Sequence, residues 1–568
     1  MIIWYLGNTT VRSPYRLRDG LIALSSSSLQ GNLRGEEKEK ELCKLLANNG
    51  IVSSKGDVTY SVGRKWRSVL SKLGFLYPKL TGQQSKFQDE LGLADTITEN
   101  GKRLINSEIV TGWQECFLRS LAAYYIPSVL ENRHNCEVFS PLRHTLAIMI
   151  ELEIRTGESK LNFLEMGLIV QITSKNDGVT TVTDRILGFR ADRETASRKR
   201  IFDQEALDAA ANTYNLQSGT FKDYADTNLR YLKATGLVQS KGKGIALVPE
   251  KRIFIEELVN DTSIPSNDLS YIQSLCSGAT LPTDEPVGAM AVLNDLVSQL
   301  NSRGNPYSLD EKNTDTPADI AIIRHEIEAQ LSELNELDYA TQQSNYIEEI
   351  IGYMDLLITR KSSKELANGN TIGIPKSEAP AYFEWTIWRA FLAINSLVNQ
   401  PWEARRFKID QDFLPVGTAP GNGSDIIFEF DNMILVVEVT LTTSSRQEAA
   451  EGEPVRRHVA KYVECFSSSG KQVFGLFLAV SIDTNTANTF RLGEWYLKND
   501  QKIDIHIVPI ALADFRDIMI ASSDDVSVML PKLQELLRNC RMYSNKDAPE
   551  WKIKISELSK NVAKNIHS

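Results

Sequence analysis

The stretch from Asp425 to Thr440 restricts the fold of this chain more than any other. DIIFEF and MILVVEV are strand-length apolar runs separated by Asp431-Asn432, a dipeptide suited to a tight turn. A hairpin places the start of its first strand beside the end of its second. Asp425 and Glu438, 13 positions apart with the turn roughly midway, therefore become neighbours. Glu438 sits within the more apolar strand, and an acid there must be paired, solvated at a sheet edge or bound to a cation. Two adjacent carboxylates repel unless positive charge lies between them. Mg²⁺ suits that place, because it accepts one or two carboxylates and fills its shell with water and phosphate oxygens. The alternative is a surface hairpin with two solvated acids, which would have no use for the apolar run around Glu438.

The surrounding segment reads as α/β. A helix over 383–398 carries Glu384, Trp385 and Trp388, and a loop with Pro415, Gly417, Pro420, Gly421 and Gly423 leads into the hairpin. Further strands rich in Ile, Val, Leu and Phe alternate with helices, which predicts a mixed sheet flanked by helices.

The first half reads differently, as one helix–hairpin pattern used twice. In the first copy, helices over 36–47 and 61–73 are followed by Gly74 and the extended Phe75-Leu76-Tyr77. Thr96-Ile97-Thr98 then turns through Glu99-Asn100-Gly101 into Lys102-Arg103-Leu104-Ile105. In the second, a helix ends at Gly236, the strand Leu237-Val238-Gln239 follows, and SKGKG over 240–244 turns into a return strand over 245–248. This is the pattern of winged helix-turn-helix units, in which a helix fits the major groove and a basic wing tip approaches phosphate. Arg64, Lys65, Arg67, Lys72, Lys102, Arg103, Arg230, Lys233, Lys241 and Lys243 are the candidate DNA contacts. Generic helix–hairpin packing, or winged helices used for protein contacts, fits the pattern equally. Between the copies, 142–152 and 161–172 read as core helices. Arg185, Arg190, Arg193, Arg198, Lys199 and Arg200 line either a phosphate-facing surface or a solvated helix face. From 281 to about 364 long polar helices, 319–337 and 345–360, suggest a connector.

The net charge of −10 would argue against a nucleic-acid partner if charge were spread evenly, but it is segregated. Residues 228–252 hold six basic side chains against one acid, while 314–355 is strongly acidic. The chain is too long for one core, so about three domains are expected. The division is 1–280 with helix–hairpin units near 35–125 and 200–260, 281–370 as a helical linker, and 371–568 as the α/β part. The six cysteines form no C-x-x-C pair, so neither a zinc site nor a disulfide framework is expected. No apolar run reaches membrane-spanning length and Met1 to Gly7 resembles no secretory signal, which makes the bacterial cytoplasm the expected location. Phosphate-loop, HExxH and GxSxG motifs are absent, and His134, His144, His325, His506 and His567 show no ligand spacing.

FEWTIWRAF, LPVGTAPGNGSDIIFEF, VVEVTLTTS and GEPVRRHVAKY together resemble the catalytic block of the AlwI-type restriction endonucleases, a family of type IIS and nicking enzymes within the PD-(D/E)xK superfamily. WYLGNTTVRSPYRL and the paired helix–hairpin units are similar to the same family, so the resemblance covers nearly the whole chain and is most specific over 380–462. The resemblance implies an N-terminal recognition domain, a helical linker and a Mg²⁺-dependent domain that cuts at a fixed distance outside an asymmetric site. It implies Asp425 and Glu438 as metal ligands, Glu384 as an accessory acid, and Glu453 and His458 lining the site from the next helix. Implied partners are double-stranded DNA, a second copy or nuclease subunit for double-strand cleavage, and a companion methyltransferase.

One departure stands out. Where nucleases of this type commonly carry E-x-K, this chain has Glu438-Val439-Thr440, and threonine supplies no charge to the transition state. His458 and Lys461, one helical turn apart, are candidates to replace the lysine. A strand-specific nickase and a DNA-binding regulator with an inert nuclease domain remain alternative readings.

Overall fold

The structure is a computed structural model that describes residues 3–52, 59–132, 134–310, 312–375 and 378–565. His567 lies outside that set. The chain divides into two compact units, Met1–Ala329 and Gln330–Ser568. The division falls within the helix Pro317–Thr341, inside the stretch read as a connector. The helix Pro286–Ser302 belongs to the first unit, whereas Ile347–Thr359 adds Ile350, Met354 and Leu357 to the core of the second.

The first unit is mainly helical. Helices Glu36–Asn48 and Ser61–Lys72 form as their spacing predicts, burying Leu42 and Leu46 on one and Trp66, Val69 and Leu70 on the other. Gly74 ends the second with a positive φ. The hairpin expected next is reduced to a single bridge between Leu76 and Ile97. The expected turn at Glu99-Asn100-Gly101 is instead the start of the helix Glu99–Asn106, and Lys102 to Ile105 are helical. Thr98 decides this by accepting a hydrogen bond from the Gly101 amide at 3.1 Å, an N-cap that outweighs the turn propensity of Asn-Gly.

The second copy holds its hairpin. Helix Ser218–Lys233 precedes strands Val238–Ser240 and Gly244–Leu247, which pair antiparallel with Val238 opposite Leu247. A short third strand, Leu161–Asn162, pairs with Gly244–Leu247. The continuous helix expected over 161–172 is therefore corrected to strand, then helix Phe163–Leu168, with Asn162 capping the break.

The second unit is built on a mixed four-stranded sheet. Helix α1 (Ala379–Leu392) leads to the hairpin β1 (Ile426–Glu429) and β2 (Met433–Thr440). Helix α2 (Arg446–Cys465) crosses to β3 (Gln472–Ala479), and β4 (Ile507–Ala511) follows. The strand order is β4-β3-β2-β1, with β1 antiparallel to β2 and the other pairs parallel. The near-continuous apolar runs of β2 and β3 match central strands covered on both faces. Trp385, Trp388 and Phe391 of α1 are buried, and Phe391 stacks on Phe428 of β1 at 4.3 Å, which anchors α1 on the hairpin. Among the described residues no helix is long and apolar enough to cross a membrane. Cys43, Cys116, Cys276 and Cys540 are buried.

Candidate active site

The hairpin register sets the first pair of acids. Ile426 pairs with Val437, so Asp425 lies across from Glu438, and the Val439 amide donates to Asp425 Oδ2 at 2.9 Å. Glu438 is only 6% exposed on the central strand β2. Side chains two apart on a strand share a face, so Thr440 lies on the side of Glu438.

The other members come from helices. Glu384 on α1 is 4% exposed, and its Oε2 accepts from the Ala419 amide at 2.7 Å, tying the loop before the hairpin to α1. On α2, Glu451 and His458 are seven residues apart, two turns on one face. Glu451 hydrogen-bonds Thr440, and His458 Nδ1 lies 2.6 Å from Glu438 Oε1. His458 Nε2 is buried without a partner.

Proton affinities follow this crowding. Burial, then the carboxylate of Asp425, raises Glu384. Burial, then Glu438, raises Asp425. Burial, then Glu451, pushes Glu438 up to about 8. Burial also raises Glu451, against the hydrogen bond from Thr440. His458 is lowered by burial and then by Arg457. The cluster cannot hold all its negative charge unless a cation enters.

Among the described residues no group of three or more His, Cys, Asp or Glu forms a ready-made metal cage. Mg²⁺ needs no such cage, because it keeps water and substrate oxygens as ligands. The hard oxygens of Asp425 and Glu438, and charge repulsion that a divalent ion would relieve, fit it.

Asp425, Glu438, Glu384 and His458 are thus brought together, but two other sequence candidates are not. Glu453 has a side chain 59% exposed and pairs with Arg457 at 2.9 Å. Lys461 is exposed, with its amine over the Tyr462 ring. Glu451, which the sequence reading missed, occupies the place given to Glu453. The seven-residue spacing back from His458 is the signal that identifies it.

In the first unit Arg64, Arg67 and Lys72 line, with Arg34 and Lys79, an open cleft of about 560 Å³. Arg67 also pairs with Glu39 at 2.7 Å and Lys72 with Glu131 at 3.0 Å. Lys65 is half-buried on the same helix. Lys102 pairs with Glu99, Arg103 bonds the Ser277 carbonyl, and Arg230 pairs with Asp226. Lys233 donates to Ser240 Oγ at 3.0 Å, and Lys241 and Lys243 are exposed at the tip of the hairpin. Arg185, Arg190, Arg193 and Lys199 are committed to Asp177, Glu165, Asp203 and Glu194, which favours an internally paired surface over a phosphate-facing one. Arg198 and Arg200 are exposed.

No curated protein gives a significant match to this sequence. Among solved structures, the small subunit (R.BspD6I2) of the heterodimeric restriction endonuclease R.BspD6I is 23% identical, over 37% of this chain and 97% of that one, with a TM-score of 0.28. The family described as AlwI restriction endonuclease matches residues 71–518, which takes in the whole carboxylate cluster together with much of the first unit. The chain belongs to the AlwI restriction endonuclease family.

Proposed function

We propose that the protein is a Mg²⁺-dependent, site-specific deoxyribonuclease of type IIS organisation, which reads double-stranded DNA with its first unit and cuts outside the site with its second. The observation that carries this is the meeting of Asp425, Glu438, Glu384, Glu451 and His458 at one end of the β1–β2 hairpin. The mixed sheet with its antiparallel hairpin and crossover helix is consistent with a PD-(D/E)xK core. Helix Ser218–Lys233 and its basic-tipped hairpin are consistent with a winged helix.

Mg²⁺ bound at the carboxylate cluster would supply Lewis-acid polarisation of the scissile phosphate and a lowered pKa for the attacking water. Asp425 and Glu438 would hold the ion, and the Val439 amide fixes one oxygen of Asp425. Glu384 braces the loop of Ala419. Once Glu438 is ionised, His458 donates Nδ1–H to it and keeps Nε2 as an acceptor able to take a proton. The exposed cations of the first unit neutralise backbone phosphates.

One carboxylate cluster acts on one strand at a time, so double-strand cleavage requires a second copy or another nuclease subunit, and a lone chain acts as a nickase. A host carrying such an enzyme needs a matching DNA methyltransferase for protection. Incubation with supercoiled DNA and Mg²⁺, followed by mapping of ends on both strands, tests the proposal. Breaks at a constant offset from one short sequence are expected. Intact DNA with both Mg²⁺ and Mn²⁺ would overturn it.

A further inference from the structure

Among the described residues no lysine acts on the cluster. Thr440 stands in its place, with its hydroxyl engaged by the Thr442 amide at 3.2 Å and by Glu451. Lys461 is exposed and turned to Tyr462. A phosphodiester approaching four carboxylates still needs positive charge besides the metal ion, since its own charge grows as it reacts.

Arg406 lies where that charge is needed. Its Nη1 donates to the Ser424 carbonyl at 2.9 Å and its Nη2 to Asn422 Oδ1 at 2.6 Å. Ser424 immediately precedes Asp425, so the guanidinium is clamped to the segment that delivers the first metal ligand. Gly423 makes the clamp possible, because a β-carbon there would lie 2.2 Å from Arg406 Nη1. Through the Ser424 carbonyl the charge of Arg406 is held one residue from Asp425, the start of the hairpin that carries the acids. A planar guanidinium can hold two such bonds and keep its charge, which a lysine amine does less well.

We propose that Arg406 is the fixed cation of this site, a positioning residue that replaces the absent lysine by steadying the turn before Asp425 and offsetting the carboxylate charge that a DNA phosphate must approach. This rests on the DNA-hydrolysis reading above. Arg406 acts through the Ser424–Asp425 segment and not by touching the reacting atoms.

The test compares the full-length parent with Arg406→Gln and Arg406→Lys. Gln removes the charge and leaves a shorter polar amide, whereas Lys keeps the charge. Melting temperatures close to that of the parent confirm that each variant folds. Single-turnover cleavage at saturating Mg²⁺ should slow by about 10²-fold in Arg406→Gln, and Arg406→Lys should recover about tenfold of that loss. Calorimetric titration with Mn²⁺ alone, in the absence of DNA, should find Arg406→Gln binding at least as tightly as the parent, because a repelling charge has gone. A merely structural role would weaken both cleavage and Mn²⁺ binding. Parent-like cleavage by Arg406→Gln, no advantage of Lys over Gln, or Mn²⁺ binding weakened tenfold in Arg406→Gln would each overturn the assignment. If the parent itself cuts no DNA, the hydrolysis reading fails, and the Mn²⁺ comparison still decides whether Arg406 acts as the cation of the cluster.

Discussion

His458 Nδ1 and Glu438 Oε1 approach to 2.6 Å, a helix side chain bonded to an acid on the central strand of the sheet, with both residues buried. At that distance one proton lies between them. A cation that ionises Glu438 therefore leaves the imidazole as donor, and the two residues act as a unit. Replacing His458 with Ala removes both the bond and a ring whose Nε2 is buried without a partner. Cleavage at saturating Mg²⁺ should fall by a factor of roughly 10² or more. An unchanged single-turnover rate would leave catalysis to metal ions alone.

Asp425→Ala and Glu438→Ala should each abolish cleavage while specific DNA binding, measured by gel shift without divalent ions, stays within a few-fold of the parent. Substantial cutting by the Asp425→Ala protein would remove the metal-ligand assignment.

Glu451 and Glu453 separate the buried face of α2 from its exposed one. Glu451→Gln should slow cleavage by about tenfold or more, because it disturbs Thr440 and Glu438 together. Glu453→Ala exchanges an exposed pair with Arg457 and should change neither rate nor melting temperature measurably. Equal effects of the two substitutions would contradict the placement.

The metal-free protein should lose stability as pH rises. Glu438 has its folded pKa raised to about 8, so folding favours its protonated form. Its contribution is intact below the unfolded value of about 4.3 and is lost as pH rises through about 8. Melting temperature without metal should fall over that window, and Mg²⁺ should raise it more at about pH 8.5 than at about pH 6. Glu438→Gln should flatten the metal-free profile. A parent profile already flat would show that the acids do not oppose one another.

Arg190 tests the alternative offered for the basic helix of the first unit. Its guanidinium bonds Glu165, which has a fully buried side chain and caps the backbone at Asn162. Arg190→Ala should cost about 3 kcal/mol of stability by stranding that carboxylate, with little change in the salt dependence of DNA binding. A reduced salt slope at unchanged stability would restore Arg190 as a phosphate contact.

What the sequence determined by itself was local. A two-residue turn between apolar runs fixes hairpin register, so the meeting of Asp425 with Glu438 was legible without any tertiary information. Helix spacing likewise located the helix of Glu384 and the second helix–hairpin unit. Packing decided the rest. The face α2 turns to the sheet selects Glu451 over Glu453, two acids that look equivalent in a charged stretch. Arg406 is 19 positions from Asp425, and only the path of the intervening loop lays its guanidinium on Ser424. In the first unit, Thr98 found its cap and turned an expected hairpin into a helix. Periodicity and turn chemistry act over a few residues, whereas ion pairs and caps depend on which surfaces folding brings together.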